Sequence, residues 1–292
     1  MHRHDYQSAA DLRGMQDLLQ RLWSPLARWH VGDLAWGRTA IPDAASGWMT
    51  ALWTEASRVM AWAWLETPDE LSLVVDPEQV GLVDEVLAWA VEVATGQELC
   101  CSVLETEGHL IEALTGAGFE PVDGGPFFTH HTMSLTELDD PVLEEGFTLR
   151  HVEPREAGER AACHRTAWSD FGSRVSARSY GQVMNTWPYR PGLDWVVQAP
   201  DGEMVANALG WIDDVNGVGL LEPVGCSPAF RRRGLAKAVK PRRPEIASRC
   251  GSNDRRGRPE RRRRLPRARD ALPKHRLRTA ARTQTFRRTR TP

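Results

Sequence analysis

An apolar run from Val218 to Val224 leads through Gly225-Cys-Ser-Pro228 into Arg231-Arg-Arg-Gly-Leu-Ala236. The run reads as a buried strand, and the residues after Gly234 read as a helix start. Strand, glycine turn and helix in such close order belong to an α/β fold. A turn of this kind points successive backbone N–H groups into one concavity, which suits an anion such as a pyrophosphate. Gly234 lets the main chain approach a ligand closely, because it has no Cβ. Arg231, Arg232 and Arg233 add the capacity for charge-assisted hydrogen bonds. Taken alone, the same pattern also fits a solvated basic helix start.

Charge is distributed unevenly around this turn. The chain of 292 residues has a net charge of only −2. From Pro241 onward, however, 18 Arg and one Lys stand against two Asp and two Glu, a balance of +15. Residues 1–240 therefore carry −17. An acidic body has been joined to a strongly basic end. Hydrophobic residues make up 41%, enough for cores in a chain long enough for two domains. The five cysteines are odd in number and lack metal-ligand or disulfide-framework spacing, which fits a reducing compartment. No apolar run is long enough to span a membrane, and Met1-His-Arg-His-Asp-Tyr6 lacks the apolar core of a signal peptide. The expectation is a cytoplasmic protein without a membrane partner.

Two α/β patterns follow one another. In the first, helical spacing marks Ala9 to Trp23, strands Arg58 to Leu65 and Glu70 to Val75, and a helix from Asp76 to Val93. A strand at Leu99 to Leu104, a helix at Glu107 to Thr115 and a strand at Phe127 to Leu135 complete it. Residues 139–146 have the composition of a linker. In the second pattern, a strand at Phe147 to Val152 precedes helices at Pro154 to Trp168 and Ala177 to Met184. Strands at Leu193 to Gln198, Met204 to Ile212 and Val218 to Cys226 then feed the glycine turn.

The second pattern, from about Phe147 to Lys240, resembles the GNAT family of N-acetyltransferases. Leu221-Glu-Pro-Val-Gly-Cys-Ser-Pro-Ala-Phe-Arg231-Arg-Arg-Gly-Leu-Ala236 is similar to that family's Arg/Gln-x-x-Gly-x-Gly/Ala motif. The first pattern resembles the same fold in outline. Its counterpart turn, Val75-Asp-Pro-Glu-Gln-Val-Gly81-Leu, has no arginine and carries Asp76 and Glu78, which repel phosphate. The resemblance therefore implies two tandem GNAT-like domains, with one live copy, similar to mycothiol synthase relatives. Each would be a mixed, mostly antiparallel sheet flanked by helices. The expected division is a degenerate domain over 1–138, a linker over 139–146, a cofactor-binding domain over 147–240 and a basic tail over 241–292.

The tail departs from the resemblance. The family continues with more helix, a strand, a helix bearing Tyr and ending in Gly-Phe, and closing strands. Here Pro241 and Pro244 lead into an Arg-Pro-Gly-rich stretch that is too poor in aliphatic residues to offset its ordering entropy. Residues 241–292 are therefore expected to be disordered, leaving the second domain incomplete, although Arg278 to Arg288 alternates like a terminal strand. A compensated reading-frame shift between about Pro241 and Leu277 would account for this: one base downstream, codons for Leu272 to Leu277 can encode Tyr-Arg-Ser-Ile-Gly-Phe. The competing reading is a phosphate-binding arm. Its single aromatic residue, Phe286, gives no stacking platform, and nucleic acid is not expected as a partner.

The resemblance implies acetyl-CoA as co-substrate, no metal, a small-molecule amine acceptor and direct attack on the thioester by a monomer or homodimer. It places Val224 and Cys226 at the pantetheine arm through their backbones. Arg231, Arg232, Arg233, Gly234, Leu235 and Ala236 would line the pyrophosphate. Glu222 is the candidate base, on the strand beside the thioester, with a structural carboxylate as the alternative. Cys226 reads as packing. The family's acid is a tyrosine in the following helix, and none of Tyr6, Tyr180 and Tyr189 stands there. An inactive GNAT-like binding module and a nucleic-acid-associated protein are the alternative functions.

Overall fold

The computed structural model describes residues 1–41, 47–66, 68–79, 81–124, 127–133, 142–239, 247–254 and 278–289. The chain opens with β1 (His2–Asp5), α1 (Ala9–Arg21) and α2 (Val31–Thr39). Strands β2 (Met49–Glu55), β3 (Arg58–Glu66) and β4 (Glu70–Val75) follow. Then come α3 (Leu82–Val93), β5 (Glu98–Leu104), α4 (Gly108–Gly116), β6 (Glu120–Pro121) and β7 (Phe127–Met133). The second half has β8 (Thr148–His151), α5 (Ala157–Ala167), α6 (Ala177–Met184), β9 (Asp194–Gln198), β10 (Met204–Asp213) and β11 (Val218–Cys226). It ends with α7 (Leu235–Ala238), β12 (Ala247–Asp254) and β13 (Arg278–Thr289).

The alternation along β3 shows how the first half is layered. Ala61, Ala63 and Leu65 join a core with α3 and α4, whereas Trp62 and Trp64 join one with Leu12, Met15, Leu18 and Leu34 of α1 and α2. Side chains of successive strand residues point to opposite faces, so β3 is apolar from Val59 to Leu65 because both faces are covered. Helix α1 begins at a capping box, in which Ser8 Oγ accepts from Ala10 N–H and Asp11 Oδ2 accepts from Ser8 N–H. In the second half, Leu209, Trp211 and Leu220 face α5 and α6, while Ala206, Ala208 and Leu221 face Leu235 of α7.

The described strands form one sheet in the order β1-β2-β3-β4-β5-β13-β7-β12-β11-β10-β9-β8, with β6 on β13. Strand β7, the last before the linker, pairs with β12 and β13, and β13 pairs with β5 of the first half. The halves thus exchange their closing strands. Helix α2 also docks on the second half. Gly32 lies against Trp211, and Ser179 Oγ donates to the Ala40 carbonyl at 2.7 Å.

Two stretches of the basic tail are strands: β13, whose alternation is visible in the sequence, and β12, which composition assigned to disorder. Pairing with β5 and β7 satisfies backbone groups of β13, and Ala281 and Phe286 are buried. Those contacts supply what composition alone lacks. Strand β12 closes against β7 and β11. Residues 255–277, and most of the proposed reading-frame shift, lie outside the described residues. Among the described residues no helix is long and apolar enough to cross a membrane.

Candidate active site

Strand β11 has two unlike edges. On one it pairs with β10 from Val218 to Cys226. On the other it pairs in parallel with β12 only at Val218, Gly219 and Leu220. Beyond Leu220 the described pairing of β11 with β12 stops, while β11 runs on to Cys226. Two strands that part in this way leave a wedge lined by main-chain donors and acceptors, which an extended ligand arm can enter as an added strand. Glu222 and Val224 lie along it, both half-buried.

Beyond β11, Ser227 N–H donates to the Val205 carbonyl at 2.8 Å, and Pro228 to Phe230 make one tight turn. The chain then bends through two left-handed residues, Arg232 (φ +71°) and Gly234 (φ +80°). A side chain at φ near +80° is strained, which explains the glycine. A Cβ built on Gly234 meets nothing within 4 Å among the described residues. The first amides of α7, those of Leu235 and Ala236, have no acceptor within their own helix. Left-handed residues set among such amides form a concavity for an anion.

The three arginines divide their roles. Arg231 turns inward: its guanidinium donates to the carbonyls of Cys226 (3.3 Å) and Ala167 (3.1 Å) and pairs with Asp170 at 3.1 Å. It ties the turn to the end of α5. Arg233 pairs with Glu144 and lies over the rings of Phe147 and Phe230. Arg232 is exposed and has no ion pair among the described residues. The sequence expectation lines the anion with Arg231 to Ala236 without requiring all three arginines to point inward; among the described residues Arg232 alone of the three makes no ion pair.

The other expected residues are placed as follows. The Glu222 carbonyl accepts from the Trp211 indole N–H at 2.7 Å, which fixes the backbone beside the wedge. Burial pushes the Cys226 thiol up to about 11, so it packs as an uncharged group. Tyr180 and Tyr189 both donate to Asp194, at 2.5 and 3.2 Å, and burial raises both phenols. Both phenols are thus committed to Asp194. Sequence reasoning missed Gly225, where a Cβ would stand 2.7 Å from Ala167 Cβ. Only a glycine lets α5 lie this close to β11.

The first half repeats the geometry with different chemistry. Strands β4 and β5 pair only at Glu70 and Leu71 before they part, and Gly81 (φ +80°) precedes α3 as Gly234 precedes α7. Here the wedge is filled from within. Arg28, buried, donates to the Leu73 carbonyl at 2.8 Å on one strand and to the Ser102 carbonyl at 2.6 Å on the other. Its Nε lies 3.0 Å from Glu107. In the turn, Asp76 Oδ1 accepts from Glu78 N–H at 3.1 Å, taking an amide for the chain's own carboxylate.

No family model matches the chain, and no curated protein matches it in sequence. Solved structures match over its whole length. A tandem GNAT protein from the clavulanic acid biosynthesis pathway aligns with 100% of this chain and 99% of its own, at 14% identity and a TM-score of 0.62. A GCN5-related N-acetyltransferase from Sphaerobacter thermophilus aligns over 98% and 95%, at 16% identity and a TM-score of 0.58. An acetyltransferase from the GNAT family from Colwellia psychrerythraea aligns over 98% and 99%, at 12% identity and a TM-score of 0.55. Two wedge-and-turn units in one chain, and these whole-length likenesses, give the same result: the chain has the tandem GNAT fold of the GCN5-related N-acetyltransferases.

Proposed function

We propose that this protein is an acetyl-CoA-dependent N-acetyltransferase with one working cofactor site, in the second half. The observation that carries the reading is that β11 pairs with β12 only at Val218–Leu220 and then runs on past it into the left-handed turn at Arg232 and Gly234. The residues fit the cofactor: backbone amides at Gly234 to Ala236 and the Arg232 guanidinium suit a pyrophosphate, and the β11 edge around Val224 suits the amides of a pantetheine arm. When bound, acetyl-CoA supplies the acetyl thioester that an amine attacks.

The chain's residues then position and move protons. The turn and the strand edge hold the reactants in line, which is where most of the rate gain in such a transfer arises. Main-chain N–H groups of β11 stabilise charge developing on the carbonyl oxygen. Glu222 takes the proton lost by the amine as its nitrogen bonds to the acetyl carbon. The sulfur leaves and is protonated from solvent, because no tyrosine of the described residues stands at the site. The acceptor is a small primary amine, drawn by the negative body of residues 1–240.

The test is transfer itself. The full chain is incubated with radiolabelled acetyl-CoA and a panel of small amines, and N-acetylated product is separated. Product that falls at least a hundredfold in Glu222→Gln, with cofactor binding kept, supports the assignment. Cofactor binding without product for any amine favours a binding module instead.

A further inference from the structure

We infer that Glu144 is an internal competitor for the pyrophosphate at the 231–236 turn. The inference rests on reading that turn as the acetyl-CoA site. Glu144 lies in the link between the halves, four residues before β8. Both its carboxylate oxygens lie 3.0 Å from Arg233 Nε, and the nearer guanidinium nitrogen, Nη2, closes a second contact. The guanidinium is held in place by two rings, 4.7 Å from the centre of Phe147 and 5.6 Å from that of Phe230. Those rings meet edge to face, 6.1 Å apart. The fork of an arginine that grips a carboxylate has the geometry to grip a phosphate. Arg233 therefore already holds an anion, and that anion belongs to the chain.

The charge at this point is firm. The hydrogen bond from Arg233 lowers the Glu144 carboxyl below its ordinary range, so it stays ionised at neutral pH. Arg233 is raised for the same reason. The link thus sets a full negative charge on the rim of an anion-binding turn. Arg232, one residue away, carries no such partner among the described residues, and Arg231 is spent on Asp170 and two carbonyls. A pyrophosphate at the turn must either displace the carboxylate from Arg233 or bind against its field. Cofactor affinity is accordingly held below what the turn could reach, and cofactor binding frees the end of the link that precedes β8.

Isothermal titration of acetyl-CoA into the full chain tests this with Glu144→Gln and Glu144→Ala, and with Glu145→Gln as the control. Glu145 is also exposed but makes no ion pair among the described residues. Both Glu144 variants are expected to bind roughly three- to fivefold more tightly than wild type, the range of an exposed ion pair. The gain should fade in high salt. Glu145→Gln should change affinity less than twofold. Unchanged or weaker binding in both Glu144 variants, while wild type binds, would overturn the inference and leave the site standing. Equal tightening by Glu145→Gln would overturn it too, by tracing the effect to general charge. If neither wild type nor variants bind at millimolar acetyl-CoA, the site reading itself falls, and the inference with it.

Discussion

Gly81 and Gly234 adopt the same left-handed conformation, φ +80° at each, immediately before α3 and α7 respectively. Each follows a strand that parts from its parallel neighbour. The pair marks one structural device used twice in the chain. In one copy an arginine fills the wedge; in the other no arginine bridges the two strands among the described residues.

This equivalence makes a paired prediction. Among the described residues a Cβ meets nothing within 4 Å at either glycine, so alanine costs backbone strain, about 1 kcal/mol of stability in each case. The two variants should melt alike. Gly234→Ala should weaken acetyl-CoA binding at least tenfold, whereas Gly81→Ala should leave it unchanged. Thermal denaturation and titration calorimetry on both variants check the two halves of the claim.

Arg28 should be a structural plug, not a ligand. Replacing it with alanine strands the carbonyls of Leu73 and Ser102 and the Glu107 carboxylate. The expected loss is about 3 kcal/mol, seen as a drop of roughly 5–10 °C in melting temperature. The number of acetyl-CoA molecules bound per chain should stay at one.

Docking of the halves should depend on Gly32. A Cβ there would stand 2.3 Å from Trp211 Cγ, a contact no rotamer of a buried indole relieves. Gly32→Ala should cost about 2–3 kcal/mol. It should also shift the tryptophan fluorescence of the native state, because Trp211 must move. A variant with wild-type stability and spectrum would show that α2 packs differently.

Acid sensitivity should trace in part to His164. Burial, with Arg160 and Arg165 nearby, lowers its pKa to about 3. The folded state therefore resists a proton that the unfolded chain accepts near pH 6.5. Its contribution is complete above that pH and is lost as pH falls from 6.5 toward 3, by about 1 kcal/mol per unit. His164→Gln should flatten the fall of melting temperature between pH 6.5 and 5. Parallel curves for variant and wild type would assign the sensitivity elsewhere.

Several features were legible because local rules and tertiary packing agree. Strand β11, its turn and the helices α5 and α6 follow apolar periodicity and glycine placement. Helix α2 was not legible: it is nine residues long, and its cap is His30, whose Nδ1 accepts from Gly32 N–H at 3.0 Å. Histidine is outside the usual set of capping residues. Strand β13 showed in the alternation of Arg278 to Arg288, whereas β12 was obscured by composition, since it is held by pairing with β7 and β11 far away in sequence. The arginines show the same limit. Arg231 meets Asp170 across 61 positions and Arg233 meets Glu144 across 89, and no local pattern signals either partner.

The central claim is one cofactor site at the second turn and none at the first. Amide hydrogen exchange of the full chain, with and without saturating acetyl-CoA, tests it most directly. The account predicts added protection over residues 221–236 and none over 76–82. Protection over 76–82, or no change over 221–236, would contradict it.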